Sequence, residues 1–436
     1  MLRCGKGTGV ARYLLAVSPI RGHVMPMVDL GAGLQKLGHD VTVLTGAGFG
    51  ALVENAGLTV RCLPGSVVID PPAAAPRWLR SLPAAVRRFW LGRAELADVF
   101  AEPLAAEADS VRALLRDMCF DAVVADITFT GVLPVLLQDS PRPPVVVCGV
   151  GPLTLSSADT PPFGMAWQPE PGVDYRPMTT VAHRVIMRSS QRRFDAALRR
   201  AGSCRSPVFI SDWPRLADAV LQLSVQEFEY PRSDLPSTVE FVGPVLPGAA
   251  GQFVPPTWWP EVTRGDRTVV HVTQGTFDNA DLNQLLVPTF DGLGGRDDIL
   301  VVATTGGRSG QRLDGGKSAN IHVAEWIPYS VLLPHVDVMI TNGGYGGVQY
   351  ALAHGVPLIV AGETSDKAEV AARVDYSGVG VDLGTFAPSA DAIRDAVERV
   401  CDDVRYRAAA RRIQAAIDAS TPVDSIANAL KRCAGA

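Results

Sequence analysis

The stretch from Val336 to Gly347, VDVMITNGGYGG, joins an apolar run to a turn holding four glycines, Gly343, Gly344, Gly346 and Gly347. The apolar run suits a central parallel strand. Glycines at the end of such a strand let the backbone adopt positive φ and come close to a ligand. A helix is expected from about Gly346 to His354, stopped by Gly355-Val-Pro357 before a new strand at Leu358 to Gly362. Its free N–H groups and positive dipole end then face the turn, which is the chemistry of an anion site, most simply for a diphosphate. The same residues also fit a tight strand-to-helix turn that holds nothing.

The elements that must position this turn can be read on both sides of it. Arg12 to Ser18 reads as a first strand, followed by a loop through Pro19 and Gly22, a helix near Met25 to Leu37, and a strand at Asp40 to Thr45. Gly38-His39 is the expected helix stop, so a β-loop-α-β unit opens the chain after about ten residues of loose leader. Strands are further expected at Thr59 to Leu63, Ala122 to Ala125, Val145 to Gly149 and Val220 to Ser224, alternating with helical or mixed segments, as in a parallel, helix-covered sheet. The proline- and glycine-rich run from Gly243 to Pro260 breaks every period and reads as a linker. Beyond it the rhythm restarts with strands at Thr268 to Thr273, Ile299 to Thr304 and Ile321 to Ala324, and a helix at Asn279 to Leu293. The expected architecture is α/β, with an N-terminal domain over residues 1–242, a linker over 243–262 and a C-terminal domain over 263–436. The stretch from Val404 to Ala434 is long for one helix and should break at Thr421-Pro422, leaving a last helix free to pack back on the N-terminal domain. Pro152 to Arg205, rich in Pro, Met, Trp and Arg, reads either as an excursion lining a pocket or as a surface insertion.

At 436 residues the chain exceeds what one core usually serves. With 40 Lys and Arg against 45 Asp and Glu, the formal net charge of -5 offers no basic field for nucleic acid. The seven cysteines are scattered, odd in number and without a Cys-x-x-Cys pair, suggesting neither a disulfide framework nor a zinc site, and fitting a reducing cytoplasm. The longest apolar stretch, Phe120 to Leu137, is interrupted by Asp121 and Asp126, so no membrane span is expected.

Three further motifs join the glycine turn: SPIRGHVMP from Ser18 to Pro26, VVAD ending at Asp126, and AEWIP from Ala324 to Pro328, with Gly362 to Lys367 (GETSDK) downstream. Together they resemble the family 1 glycosyltransferases, nucleotide-sugar-dependent enzymes of the GT-B fold, over nearly the whole chain and most closely from about Val269 to Leu383. The bacterial natural-product transferases are the nearer branch. The resemblance implies two facing Rossmann-like domains with parallel sheets and an interdomain cleft. It implies His23 as general base and Asp126 as the carboxylate that fixes its tautomer and stabilises the imidazolium. On the donor side it implies stacking of a nucleobase on Trp326, contact of its edge with the Ile327 backbone, a diphosphate over Asn342, Gly343, Gly344, Gly346 and Gly347, and sugar hydroxyls on Asp366. Gln274-Gly275-Thr276, after a strand, would add a hydroxyl and backbone amides near the diphosphate. No Asp-x-Asp motif suggests a metal, and no cofactor is implied beyond a UDP- or TDP-linked sugar as donor.

Three positions depart from the family pattern. Asn342 replaces a phosphate-contacting histidine, and its amide donates a hydrogen bond but carries no charge. Tyr350 replaces a ribose-binding glutamate, which would relax selection for a ribonucleotide. Lys367 replaces a glutamine, and would return a cation near the phosphate or an acidic sugar. The expected activity is inverting transfer of a hexose to a hydroxyl of a lipophilic small molecule, phenolic or polyketide, by a monomer or homodimer. A catalytically silent GT-B protein that partners a biosynthetic enzyme is the alternative from another class; a base dyad would have no use there. A nicotinamide-dependent oxidoreductase fits poorly, because the glycines from Gly5 to Gly9 precede the first strand where a dinucleotide fingerprint follows it.

Overall fold

The computed structural model describes residues 10–69, 84–246, 253–276, 279–307, 318–363 and 366–435. The Gly5 to Gly9 run, most of the expected leader and the middle of the expected linker lie outside these residues.

Apolar runs bounded by helix stops fold into two parallel sheets. The first contains β1 (Arg12–Ala16), β2 (Asp40–Thr45), β3 (Thr59–Cys62), β4 (Ala122–Asp126), β5 (Val145–Gly149), β6 (Ala219–Gln222) and β7 (Val239–Phe241), in the order β3-β2-β1-β4-β5-β6-β7. The second contains β8 (Thr268–Thr273), β9 (Ile299–Thr304), β10 (Ile321–Ala324), β11 (Val338–Thr341), β12 (Leu358–Val360) and β13 (Gly380–Asp382), in the order β10-β9-β8-β11-β12-β13. The central strands are buried on both faces, which is why β4, β5 and β9 read as continuous apolar runs rather than alternating ones. Alternation reappears in how the second sheet divides its neighbours: Val269 and Leu300 join one apolar cluster, Val270 and Val301 the other.

Five helices matter for the site: α1 (Arg21–Lys36), α2 (Leu104–Asp117), α3 (Tyr345–Ala353), α4 (Lys367–Tyr376) and α5 (Pro422–Gly435). α1 begins four residues earlier than expected, with Pro26 inside it. That proline, sixth in the helix, forgoes the bond to the carbonyl of Gly22 and crowds that carbonyl, yet the helix runs through it, so His23 stands on a helical turn rather than in a loop. The helix expected at Asn279 to Leu293 is split. Asp281 accepts from the Asn283 N–H to start a short 3-10 turn, and the N–H of Leu285 donates to Oε1 of Gln274 before a helix resumes at Leu286. The long C-terminal stretch breaks where Thr421-Pro422 requires: one helix ends at Asp418 and α5 starts at Pro422. Ile426, Ala427, Ala429 and Leu430 of α5 lie in the apolar cluster of the first sheet, not the second. The fit is close, since a Cβ on Gly33 of α1 would stand 2.8 Å from Val423. No helix among the described residues is long and apolar enough to cross a membrane.

Candidate active site

In each sheet the strand order reverses once, between β1 and β4 in the first and between β8 and β11 in the second. Connections leaving such a pair diverge to opposite faces and open a crevice at the carboxyl ends of the strands. The chemistry-bearing residues sit there: Ser18 to His23 after β1, Asp126 to Thr128 at the end of β4, Gln274 to Thr276 after β8 and Asn342 to Gly344 after β11. The two crevices face each other across one cleft of about 1120 Å³. That exceeds the roughly 300–1,000 Å³ of a single small-ligand pocket, and leaves room for two reactants.

On the first wall, Asp126 is fully buried and accepts four hydrogen bonds. Ser18 N donates at 2.6 Å, His23 Nδ1 lies at 2.9 Å, and Thr128 donates through its N–H at 2.8 Å and its hydroxyl at 2.6 Å. Burial pushes the carboxyl upward, but the charge and hydrogen bond of His23, with those of Thr128 and Ser18, outweigh it and hold Asp126 below its usual range. An ionised Asp126 requires the proton of His23 on Nδ1, so Nε2 is the nitrogen left to accept one. Thr128 was not singled out in the sequence; the hydroxyl two residues beyond a strand-ending aspartate was the available sign. Behind this pair Glu107, in the first turn of α2, is wholly buried with Oε2 accepting from Gly131 N at 2.9 Å. Burial, and then the charge of Asp126, raise its carboxyl well above the ordinary value.

The opposite wall is made largely of backbone. Gly343 has φ of 85° and a Cβ there would meet Val360 at 2.8 Å, so glycine is required by both conformation and space. Gly344 caps α3, while a Cβ on Gly346 would find nothing within 4 Å. Gly346 and Gly347 stand in the first turn of α3, whose unpaired N–H groups and dipole favour an anion. Gln274 turns its side chain away to Leu285 N and Asp281 O, leaving Gly275, with φ of 67°, and Thr276 on the cleft. Asn342 is buried and donates through Nδ2 to Gln274 O at 2.6 Å, tying the two switch-point loops together.

Trp326 is 55% exposed on the cleft, with the Arg21 guanidinium 5.7 Å from its ring centre, whereas Ile327 beside it is core. Tyr350, one turn beyond Gly346 and Gly347 on α3, packs edge-on against Tyr329 at 5.3 Å. Asp366 caps α4 and Lys367 opens it, 5% exposed; a Cβ on Gly151 would come 3.6 Å from Asp366 Oδ2. Every expected site residue except Gly343 and the buried Asp126 thus lines the cleft.

A charged knot joins the walls. Arg373 of α4, 2% exposed, donates to Glu229 at 2.6 Å and to Glu369 at 2.8 Å, and lies 4.4 Å over the Tyr230 ring. Glu369 Oε1 accepts from the N–H groups of Gly164 and Ala166, both at 2.8 Å, and Glu229 from that of Leu153 at 2.9 Å. The segment beyond Pro152 is therefore pinned to the helix that Asp366 caps, and its Pro152, Thr154, Phe163 and Gly164 line the cleft.

Two facing Rossmann-like domains, with an aspartate-held histidine on one wall and a glycine cradle on the other, define the GT-B class of glycosyltransferases. Residues 290–432 match the family described as Erythromycin biosynthesis protein CIII-like, C-terminal domain, and residues 22–226 the Glycosyl transferase 4-like domain. The chain is 39% identical to 4'-demethylrebeccamycin synthase of Lentzea aerocolonigenes, over 93% of this chain and 95% of that one. It is 34% identical to UDP-glycosyltransferase 2 of Phaeomoniella chlamydospora, over 98% and 97%. The calicheamicin glycosyltransferase shares the fold at a TM-score of 0.68, with 23% identity over 98% of both chains. The spinosyn rhamnosyltransferase complexed with thymidine diphosphate does so at 0.65, with 19% identity over 97% of this chain and all (100%) of that one. The chain belongs to the family 1 glycosyltransferases, in their natural-product branch.

Proposed function

We propose that the protein is an inverting, metal-independent O-glycosyltransferase that moves a hexose from a UDP- or TDP-linked donor to a hydroxyl of a lipophilic small molecule. The observation that carries this reading is the hydrogen bond from His23 Nδ1 to buried Asp126, which directs Nε2 to the role of base on the cleft wall. The acceptor oxygen attacks the anomeric carbon as Nε2 takes its proton, and the electron pair of the breaking bond leaves on the diphosphate. Attack opposite the leaving group inverts the anomeric centre. Charge developing on the diphosphate meets the first turn of α3 and the Gly275-Thr276 backbone, with Lys367 as the nearby cation. Trp326 stacks the base, the Ile327 backbone meets its edge, and Asp366 accepts from the sugar hydroxyls. A relative named as a demethylrebeccamycin synthase supports a natural-product acceptor. The structural neighbours complexed with thymidine diphosphate and with spinosyn aglycone support a nucleotide donor and an apolar acceptor.

The test is nucleoside diphosphate release, with UDP-glucose or a TDP-hexose, across a panel of phenolic and polyketide acceptors, with the anomeric configuration of the product read by NMR. His23→Ala is expected to lower kcat by about 10²–10⁴ while donor affinity stays. Turnover within tenfold of wild type would remove His23 as base; donor binding with no transfer across the panel would point to a silent scaffold.

A further inference from the structure

Tyr350 brings a phenol to the donor wall one turn along α3 from Gly346 and Gly347, packed on Tyr329 three residues after Trp326, where a carboxylate would suit the hydroxyls of a ribose. A carboxylate does reach this region, from the other domain. Gly22, Met25, Pro26 and Asp29 recur at spacings of three and four along α1 and all line the cleft, so one face of that helix looks across at α3. Arg21, at the start of the same helix, already lies against Trp326. Asp29 is half-buried, and no described group hydrogen-bonds or ion-pairs with its carboxylate.

We propose that Asp29, from the N-terminal domain, is a donor-site residue that accepts hydrogen bonds from the ribose hydroxyls of the nucleotide, opposite Tyr350. A nucleotide whose base stacks on Trp326 and whose diphosphate lies over Gly346 and Gly347 must carry its sugar between them, over Tyr350. Burial raises the Tyr350 phenol and the charge of Asp29 adds to it, so the two side chains share one electrostatic environment. Burial also brings the Asp29 carboxyl up to about 6, with Lys36 pulling the other way; a hydroxyl donor would offset that cost of desolvation. The consequence is preference for a ribonucleotide, contrary to what Tyr350 in place of an acid suggests by itself.

This inference rests on the nucleotide-sugar reading above, and one calorimetric series separates the two. UDP and 2′-deoxy-UDP are titrated into wild type, Asp29→Ala and Asp29→Asn, with thermal melting as a fold control. Wild type is expected to bind UDP roughly tenfold more tightly than 2′-deoxy-UDP. In Asp29→Ala the ratio should fall to near one through weaker UDP binding, with the deoxy ligand unchanged, and Asp29→Asn should fall between. A ratio near one in wild type, or one that persists in Asp29→Ala, overturns the role of Asp29 while leaving the nucleotide site standing. Failure of wild type to bind either nucleotide overturns the donor-site reading and this inference with it.

Discussion

The two walls of the cleft are built from opposite materials. The N-terminal wall is side-chain chemistry: His23 gains a fixed tautomer only because Asp126 is buried and collects four donors, and Asp126 stays charged only because of them. The C-terminal wall is mostly what side chains leave out, namely a positive φ at Gly343, open space at Gly346 and amides at the start of α3. An acid–base group must be tuned, whereas a diphosphate must be given room and dipoles. The two walls should therefore respond to substitution in different currencies, rate on one side and affinity on the other.

The largest effect is expected at Asp126→Asn, which leaves the shape but favours the wrong tautomer of His23. kcat should fall on the order of 10²-fold or more with donor affinity unchanged. Because Asp126 ionises below its unfolded value, it contributes stability at neutral pH that is lost as pH falls through its lowered pKa; the melting gap between wild type and Asp126→Asn should narrow on acidification. Next, Trp326→Ala should weaken nucleotide binding by about 1–3 kcal/mol, measured by calorimetry, with little change in rate at saturation. Gly346→Ala sharpens the contrast further. Nothing in the protein meets that Cβ, so melting should hold or improve by up to about 1 kcal/mol while donor affinity falls. If affinity holds as well, the turn is only a turn. The smallest effect is at Glu107→Gln. A carboxyl raised well above its ordinary value contributes stability fully present below the unfolded pKa and lost as pH rises through the folded one. The glutamine variant should thus gain on wild type in melting temperature as pH rises from 4 to 8.

How far each wall could be read from residues follows from the same division. The glycine turn, β8, β9 and β10 were legible because strand runs and glycine punctuation are local, and β8, β9 and β10 form with the expected bounds. His23 and Asp126 stand 103 residues apart, and only the reversal of strand order between β1 and β4 brings them to 2.9 Å. Their roles came from resemblance, not from spacing. Asp29, Arg373 and Glu369 gave no local sign at all. On a helix a carboxylate or guanidinium reads as a solvated face, and only the facing domain turns Arg373 into a buried tie. α1 starts before its expected position because Pro26 reads as a breaker, whereas the helix runs through it.

Helix α5 has a consequence for how the chain is made. Its Ile426, Ala427, Ala429 and Leu430 complete the core of the sheet that β1 begins. A chain emerging from the ribosome amino end first carries the first seven strands into solution with that side uncovered until α5 follows. The half that holds His23 is thus completed only after the second sheet has been made. A nascent chain halted after β13 should expose this apolar surface, and truncation before Pro422 should compromise the histidine wall before the glycine wall.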